Sequence, residues 1–435
     1  MGMTVNTGTG WRGVLPLLGA LLTAGVVAGC AQQGQLSPPA TAALPARDAG
    51  SASASASEAT PRAPERRATT KVALLLPLSG PGQSALVAEA MKRAAELSIA
   101  DANASHIQLM VRDDKGTPEG AQAAASEVLQ AGAEIVLGPL FARSVSTVSA
   151  PARAANVPVV AFSNDRQVAG GGVHLLSFLA APEVHRVIGY ATQKGRKRFA
   201  ALIPDDAYGR IVETAFREAV QRAGAQAVAV ETYQPEANRK LDAVKRLRDG
   251  VRGLEEHGDP VDAIFLPGGE DAVTTLMPQL RQAGFDFTRM KIVGTGGLDY
   301  ANAGRDPQLV GAWYAAPDPQ GWKDFSERYG KTFGIAPPRV ASLAYDAVTV
   351  VAALSSGPPG ARYIPSQLTR SSGFVGVDGQ FRLSADGTVE RALAVLEVQA
   401  FGASVIDPAQ PLAGAAPLNA ALPNAAAGPR GSALN

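Results

Sequence analysis

The chain of 435 residues is 46% hydrophobic and 18% charged, with a formal net charge of +1. It holds enough apolar material for one large or two medium domains. So small a net charge excludes a broad electrostatic surface for nucleic acid, and no nucleic-acid partner is expected.

Residues 1–29 have the order of a secretory signal: a short polar start with Arg12, an apolar stretch from Gly13 to Val27, then small residues. The stretch is too short and too weakly flanked for a permanent transmembrane helix. It ends in Val27-Ala28-Gly29-Cys30, which carries the only cysteine and resembles a bacterial lipobox. That resemblance implies cleavage before Cys30 and lipidation of its thiol. Multiple acylation would make a stable membrane anchor, each buried CH₂ contributing about 0.8 kcal/mol. With Cys30 acylated, no thiol remains for a disulfide, a nucleophile or a Cys-based metal site. The absence of Asp after Cys30 points, by the same resemblance, to the periplasmic face of the outer membrane, with inner-membrane anchoring the less favoured destination.

Residues 30–70 are rich in Ala, Pro and Ser, with too little apolar mass to fold. This linker of roughly 40 residues would span about 35 Å as flexible coil and about 120 Å if Pro-stiffened. The folded unit runs from about Lys71 to Ala400. Val72 to Leu76 reads as a buried strand followed by a helix from Ala85 to Ala100. Ile107–Val111, Ile135–Leu137 and Val157–Phe162 are strand-like, separated by helical Pro118–Ala131 and Val145–Ala155. A second series follows with strands at Phe199–Ile203, Ala227–Glu231, Ala263–Leu266 and Lys291–Val293. Its helices are Tyr208–Ala223, a basic segment Arg239–Leu254, and Val273–Ala283. Beyond it, Gly311–Ala315 is an extended crossing segment and Asp324–Phe333 and Ser342–Leu354 are helices. Gly373–Leu383 and Ala392–Val398 alternate as strands, with turns at Asp378-Gly379 and Asp386-Gly387. The rhythm predicts an α/β fold of two doubly wound, Rossmann-like lobes joined by a multi-strand hinge. The expected division is 71–190 plus 313–400 for the first lobe, 191–312 for the second, and a loose Ala/Pro-rich tail over 401–435.

Candidate ligand-binding residues fall where strands hand over to helices. Ser79 and Gly80 sit in such a junction, where free N–H groups and a helix N-terminus would receive an anion; a self-bonded tight turn is the alternative. Phe141, Arg143 and Ser144 offer an aromatic face, a cation able to clamp a carboxylate and a hydroxyl. Ser163 and Asn164 would complete that lobe's polar rim, or cap a turn. In the second lobe Tyr208 would close an apolar wall while its hydroxyl bonds, with Asp205 and Asp206 either at the site or capping a helix. Glu270 and Asp271 follow two glycines and would receive an ammonium, or serve as ordinary acids of a helix start. Gly294-Thr295-Gly296-Gly297 faces the same predicted crevice. Asp113-Asp114 reads as a solvated turn. The histidines His106, His174, His185 and His257 show no metal spacing, and no serine-hydrolase motif is present. No enzyme, metal or cofactor is expected.

The segments Leu75-Leu-Pro77-Leu-Ser79-Gly80, Arg112-Asp-Asp114-Lys-Gly116, Gly138-Pro-Leu-Phe141, Val157-Pro-Val159, Pro204-Asp-Asp-Ala-Tyr208-Gly209 and Ala344-Tyr345-Asp346-Ala347 together resemble the type 1 periplasmic binding fold, which includes Leu/Ile/Val-binding proteins. The Leu-Pro-Leu-Ser-Gly opening and Gly138-Pro-Leu-Phe141 with Val157 to Asn164 resemble penicillin-binding protein activators. The resemblance implies a non-catalytic binding module. Amino-acid binders of the family carry a hydroxyl residue near Ala142 or Arg143 and an acid near Gly296; with neither in place, leucine-like recognition would need Glu270 or Asp271 as a substitute. The favoured expectation is therefore an activator-like regulator whose partners are outer-membrane lipid, through Cys30, and a peptidoglycan synthase. The alternative is a substrate-binding protein that captures a small amino-acid-like ligand for an ABC permease.

Overall fold

The computed structural model describes residues 69–235, 240–300 and 302–414. The signal, Cys30, most of the linker and the tail beyond 414 lie outside them. The first sheet has the order β2-β1-β3-β4-β5, built from β1 (Thr70–Leu76), β2 (Ile107–Asp113), β3 (Ile135–Leu137), β4 (Val159–Ala161) and β5 (Val173–Leu175), all parallel. Helices α1 (Ser84–Asp101), α2 (Pro118–Gln130) and α3 (Ala142–Ala154) connect its strands. Because strand side chains alternate, the near-continuous apolar run of β1 feeds two cores. Val72, Leu74 and Leu76 pack on the face covered by α1, while Ala73 and Leu75 meet α2 and α3.

The second sheet has the order β15-β14-β10-β9-β8-β6-β7. Its parallel strands are β6 (Arg198–Pro204), β7 (Gln226–Tyr233), β8 (Ala263–Phe265), β9 (Lys291–Gly294) and β10 (Trp313–Ala316). Helices α4 (Ala180–Gln193), α5 (Ala207–Arg222), α6 (Lys240–Glu256) and α7 (Glu270–Gln282) cover its two faces. In β6, Ala200 and Leu202 join the α6 and α7 side, and Phe199, Ala201 and Ile203 the α4 and α5 side. Antiparallel β14 (Ala394–Val398) and β15 (Ala403–Asp407) complete the edge.

The chain crosses from the first lobe to the second between β5 and α4, and returns between β10 and α8 (Pro319–Phe333). Helices α8 and α9 (Ala341–Leu354) pack on α1, Ser98 Oγ donating to the Tyr345 carbonyl at 3.0 Å. A short helix α10 (Pro365–Leu368) and a small antiparallel sheet of β11 (Phe374–Gly376), β12 (Gly379–Leu383) and β13 (Val389–Arg391) follow. The last crossing leads from β13 to β14. Several expectations are thereby corrected. Strands β10 and β14, expected with the first lobe in 313–400, hydrogen-bond in the second sheet, and α4 packs there although the expected boundary fell at 190. The segment Gly373–Leu383 is a hairpin of two strands that turns at the expected Asp378-Gly379, and the expected loose tail begins with strand β15.

Candidate functional site

A cavity of about 620 Å³ opens at the C-terminal edge of the second sheet, where β6 ends at Pro204 and β10 at Ala316. This edge of an open α/β sheet is where ligands bind as a rule. The second lobe supplies Asp206 and Tyr208 at the start of α5, Gly268 to Ala272 except Glu270 at the start of α7, and Thr295 to Gly297 after β9. The crossing segment and first turn of α4 add Phe178 and Glu183, and the first lobe's return adds Arg339, just ahead of α9.

The glycines are required by close approach. A Cβ at Gly297 would lie 2.3 Å from the Gly268 carbonyl oxygen, and one at Gly296 would lie 3.2 Å from Glu183 Oε1. Without those carbons the Gly296 N–H reaches Glu183 Oε2 at 2.8 Å. Burial pushes the Glu183 carboxyl up to about 7, outweighing that hydrogen bond and the Arg339 charge, both of which favour the anion. Glu183 makes no ion pair among the described residues. Near neutral pH this carboxyl is therefore divided between its acid and its anion.

Around it, Tyr208 Oη and Thr295 Oγ1 are hydrogen-bonded at 2.9 Å, and burial holds the phenol well above its ordinary pKa. Tyr233, raised to about 12 by burial and by Asp206, forms a second aromatic wall. The Lys240 ammonium stands 5.8 Å from its ring. Asp299 Oδ1 accepts from Tyr314 Oη at 3.1 Å. Arg339 lies between two rings, its guanidinium 4.5 Å from Trp322 and 4.9 Å from Phe178. One of its nitrogens pairs with the buried Asp378 and the other terminal nitrogen donates to Ser342 Oγ at 3.4 Å, while the side chain stays 31% exposed in the cavity wall.

Of the expected site residues, Tyr208 and Asp271 line this cavity and Glu270, one residue earlier, does not. Asp206 also caps α5, its Oδ1 accepting from Gly209 N at 2.7 Å. Asp205 accepts from Gln234 Nε2 at 2.7 Å. The first-lobe candidates Ser79, Gly80, Phe141, Arg143, Ser144, Ser163 and Asn164 are absent from the lining. They stand at the C-terminal edge of the first sheet. Ser79 donates through N and Oγ to Asp113 at 3.2 and 2.5 Å, and Ser163 Oγ accepts from Asp165 N at 3.1 Å. Phe141, Arg143 and Asn164 are exposed, whereas Ser144 is buried with its hydroxyl unpartnered. Asp113 and Asp114 divide in character. Burial would raise Asp113, but hydrogen bonds from Ser79 and the Lys115 N–H hold it below the ordinary value. Asp114, fully buried, is pushed up to about 6 by that burial.

Glu183 and Arg339 are not among the residues expected from the sequence. For Glu183 a signal exists: Val184, Val187, Ile188 and Ala191 repeat at helical spacing after Pro182. For Arg339, the Pro337-Pro338-Arg339 run announces a helix start and nothing about what faces it.

Two α/β lobes, joined by several crossings and holding a charged cavity at the strand ends, define the class of bilobed solute binders. The chain belongs to the periplasmic binding protein family, which it matches over residues 69–403, a family of non-catalytic solute-binding proteins. Among curated proteins it is 23% identical over 219 residues to the uncharacterized protein RP748 of Rickettsia prowazekii, a match spanning 50% of this chain and 57% of that one. Its fold is shared with a branched chain amino acid ABC transporter periplasmic ligand-binding protein of Burkholderia xenovorans, at 16% identity and TM-score 0.64, covering 80% of this chain and 96% of that one. It is shared also with a solute binding protein of an ABC transporter from Rhodopseudomonas palustris, solved with 3,4-dihydroxybenzoic acid, at 19% identity and TM-score 0.55, covering 79% and 98%.

These matches overturn the favoured expectation. The family is that of periplasmic binding proteins, and the two solved structures named above are ABC-transporter binding proteins, not penicillin-binding protein activators. The motifs credited to activators are strand-to-helix junctions that belong to the binding fold itself. With the regulator falls the outer-membrane destination and the peptidoglycan-synthase partner. No helix of the described residues is long and apolar enough to cross a membrane.

Proposed function

We propose that the chain is the solute-binding component of an ABC transporter and that its ligand is amino-acid-like, with an ammonium and a carboxylate on one small skeleton. The observation that carries this reading is the placement of Glu183 and Arg339 in one cavity of about 620 Å³. A carboxyl without an ion-pair partner close to a guanidinium complements a zwitterion, whose ammonium would draw Glu183 into its ionised form while its carboxylate meets Arg339. Tyr208, Tyr233 and Phe178 give the skeleton apolar walls. The name of the Burkholderia relative supports the amino-acid reading. An aromatic acid of the kind held by the Rhodopseudomonas protein would satisfy Arg339 and leave Glu183 without a cation.

On closure, the first-lobe junctions carrying Ser79, Gly80, Phe141, Arg143, Ser144, Ser163 and Asn164 would supply the opposing wall. The partner is an ABC permease, and acylation at Cys30 would keep the chain at the membrane near it. The test is calorimetry of the purified chain against the standard amino acids. For any amino acid that binds, the amide lacking the carboxylate and the acid lacking the amine should each bind at least about tenfold more weakly, a loss of about 1.4 kcal/mol. Failure of every amino acid to bind, or equal affinity for either single-charge analogue, would reject the reading.

A further inference from the structure

A second cavity, of about 630 Å³, lies at the opposite pole of the first lobe, where β3, β4 and β5 begin. It is reached from the N-terminal edge of that sheet and shares no residue with the cleft. Its body is apolar, formed by Val157, Pro158, Tyr363, Ile364 and Pro365. Ile364 is left 41% exposed and Tyr363 only 4%.

Charge in this wall is unevenly matched. Arg362, 3% exposed, donates through Nη1 to Thr70 Oγ1 at 2.5 Å and to the Ser355 carbonyl at 3.1 Å. Its Nε lies 2.9 Å from Glu134 Oε2, and its Nη2 has no hydrogen-bond partner. Arg153, in the last turn of α3, extends over Gly171, where a Cβ would lie 3.5 Å from its guanidinium carbon, and pairs with no acid among the described residues. Two guanidiniums thus face one carboxylate around an apolar hollow. A buried guanidinium nitrogen without an acceptor is costly, so the wall is one negative charge short of balance.

We propose that this hollow is a second ligand site, independent of the cleft, for a monocarboxylate with an apolar body, its carboxylate held by Arg153 and the free edge of Arg362. The helix end at Ala155 disfavours an anion, which is why two cations are needed to seat one.

The test uses octanoate as probe with the full chain, followed by calorimetry and ligand-observed NMR. Octanoate should bind saturably at one site and 1-octanol should not. Arg153→Gln should weaken octanoate at least about tenfold without altering the melting temperature, and Ile364→Trp should block the mouth. Tyr208→Ala, a change in the cleft, should leave octanoate binding in place. Absence of saturable binding, binding untouched by Arg153→Gln and Ile364→Trp, or binding lost in Tyr208→Ala would each overturn the proposal. Amino-acid binding in the cleft is read separately, so failure at one site does not bear on the other.

Discussion

At the scale of single residues, Glu183 sets the pH response of the cleft. Its folded-state carboxyl is raised to about 7 by burial, above the ordinary value of roughly 4.3. Such a group favours folding when protonated: its contribution is fully present below the unfolded value and is lost as pH rises through about 7. Glu183→Gln should therefore raise the melting temperature at pH 8, by roughly 2 °C or more, and leave it unchanged at pH 4. Binding should move in the opposite sense. An ammonium ligand needs the ionised carboxylate, so wild-type affinity should fall as pH drops below about 7, and Glu183→Gln should bind weakly with a flat profile. An affinity in wild type that is constant between pH 5 and 8 would remove Glu183 from the site. That Tyr208 and Asp271 stand at strand exits, where the cavity opens, is legible in the sequence because turn glycines or a cap lie nearby. The helix that carries Glu183 is legible too, but the approach of Glu183 and Arg339 to the cavity is not, because it depends on how a crossing segment and a returning turn fold over another lobe's sheet.

At the scale of elements, the site stands on helix starts and glycine loops. Asp206 both caps α5 and lines the cavity. Asp206→Ala should cost about 1 kcal/mol in urea unfolding, and Asp206→Asn, which keeps the capping oxygen, a few tenths. Gly297→Ala would force a carbon to 2.3 Å from the Gly268 carbonyl, an overpacking that should cost about 1–3 kcal/mol and distort the loop that holds the Gly296 N–H toward Glu183. Wild-type affinity in Gly297→Ala would show that this loop does not shape the site. The βα alternation is legible because the parallel strands β1, β3, β4, β6, β8 and β9, buried on both faces, are written as apolar runs, while β2 and β7 at the sheet edges are only partly buried. Strand β5, Val173–Leu175, is interrupted by His174 and so lacks the plain apolar run of the equally short β3, β4 and β8, and β15, with its exposed Val405, carries no core pattern at all. The periodicity of Arg239–Leu254 predicts a helix, and Lys240–Glu256 is observed.

At the scale of the whole molecule, the crossings meet around Phe178. Arg339 lies 4.9 Å and Arg391 5.1 Å from its ring. Arg391, at the end of β13, also stands 3.5 Å from the fully buried carboxylate of Asp346. Burial raises the Asp346 carboxyl, and the Arg391 charge opposes that rise. Arg391→Ala would leave Asp346 buried without its main partner, so it should destabilise the chain by about 3–5 kcal/mol, read by urea unfolding. A loss below about 1 kcal/mol would show that the cluster does not hold the hinge together. Bilobed architecture is legible from the repeated βα series, but the ownership of β10 and β14 is not. Pairing of strands remote in sequence is decided by sheet edges, and Trp313–Ala316 and Ala394–Val398 read equally well as strands of either lobe. The corrected function has the same root: a fold-level resemblance reaches the right architecture, and the choice among that fold's roles rests on junction motifs common to all of them.

The most direct test of the central claim is native purification of the chain followed by mass spectrometry of whatever small molecule is released on denaturation, with calorimetry to confirm its return. The expected result is a near-stoichiometric compound bearing both an amine and a carboxylate, whose affinity falls at least about tenfold in Glu183→Gln and in Arg339→Gln. A stoichiometric neutral compound, or an empty chain that binds no amino acid, would contradict it.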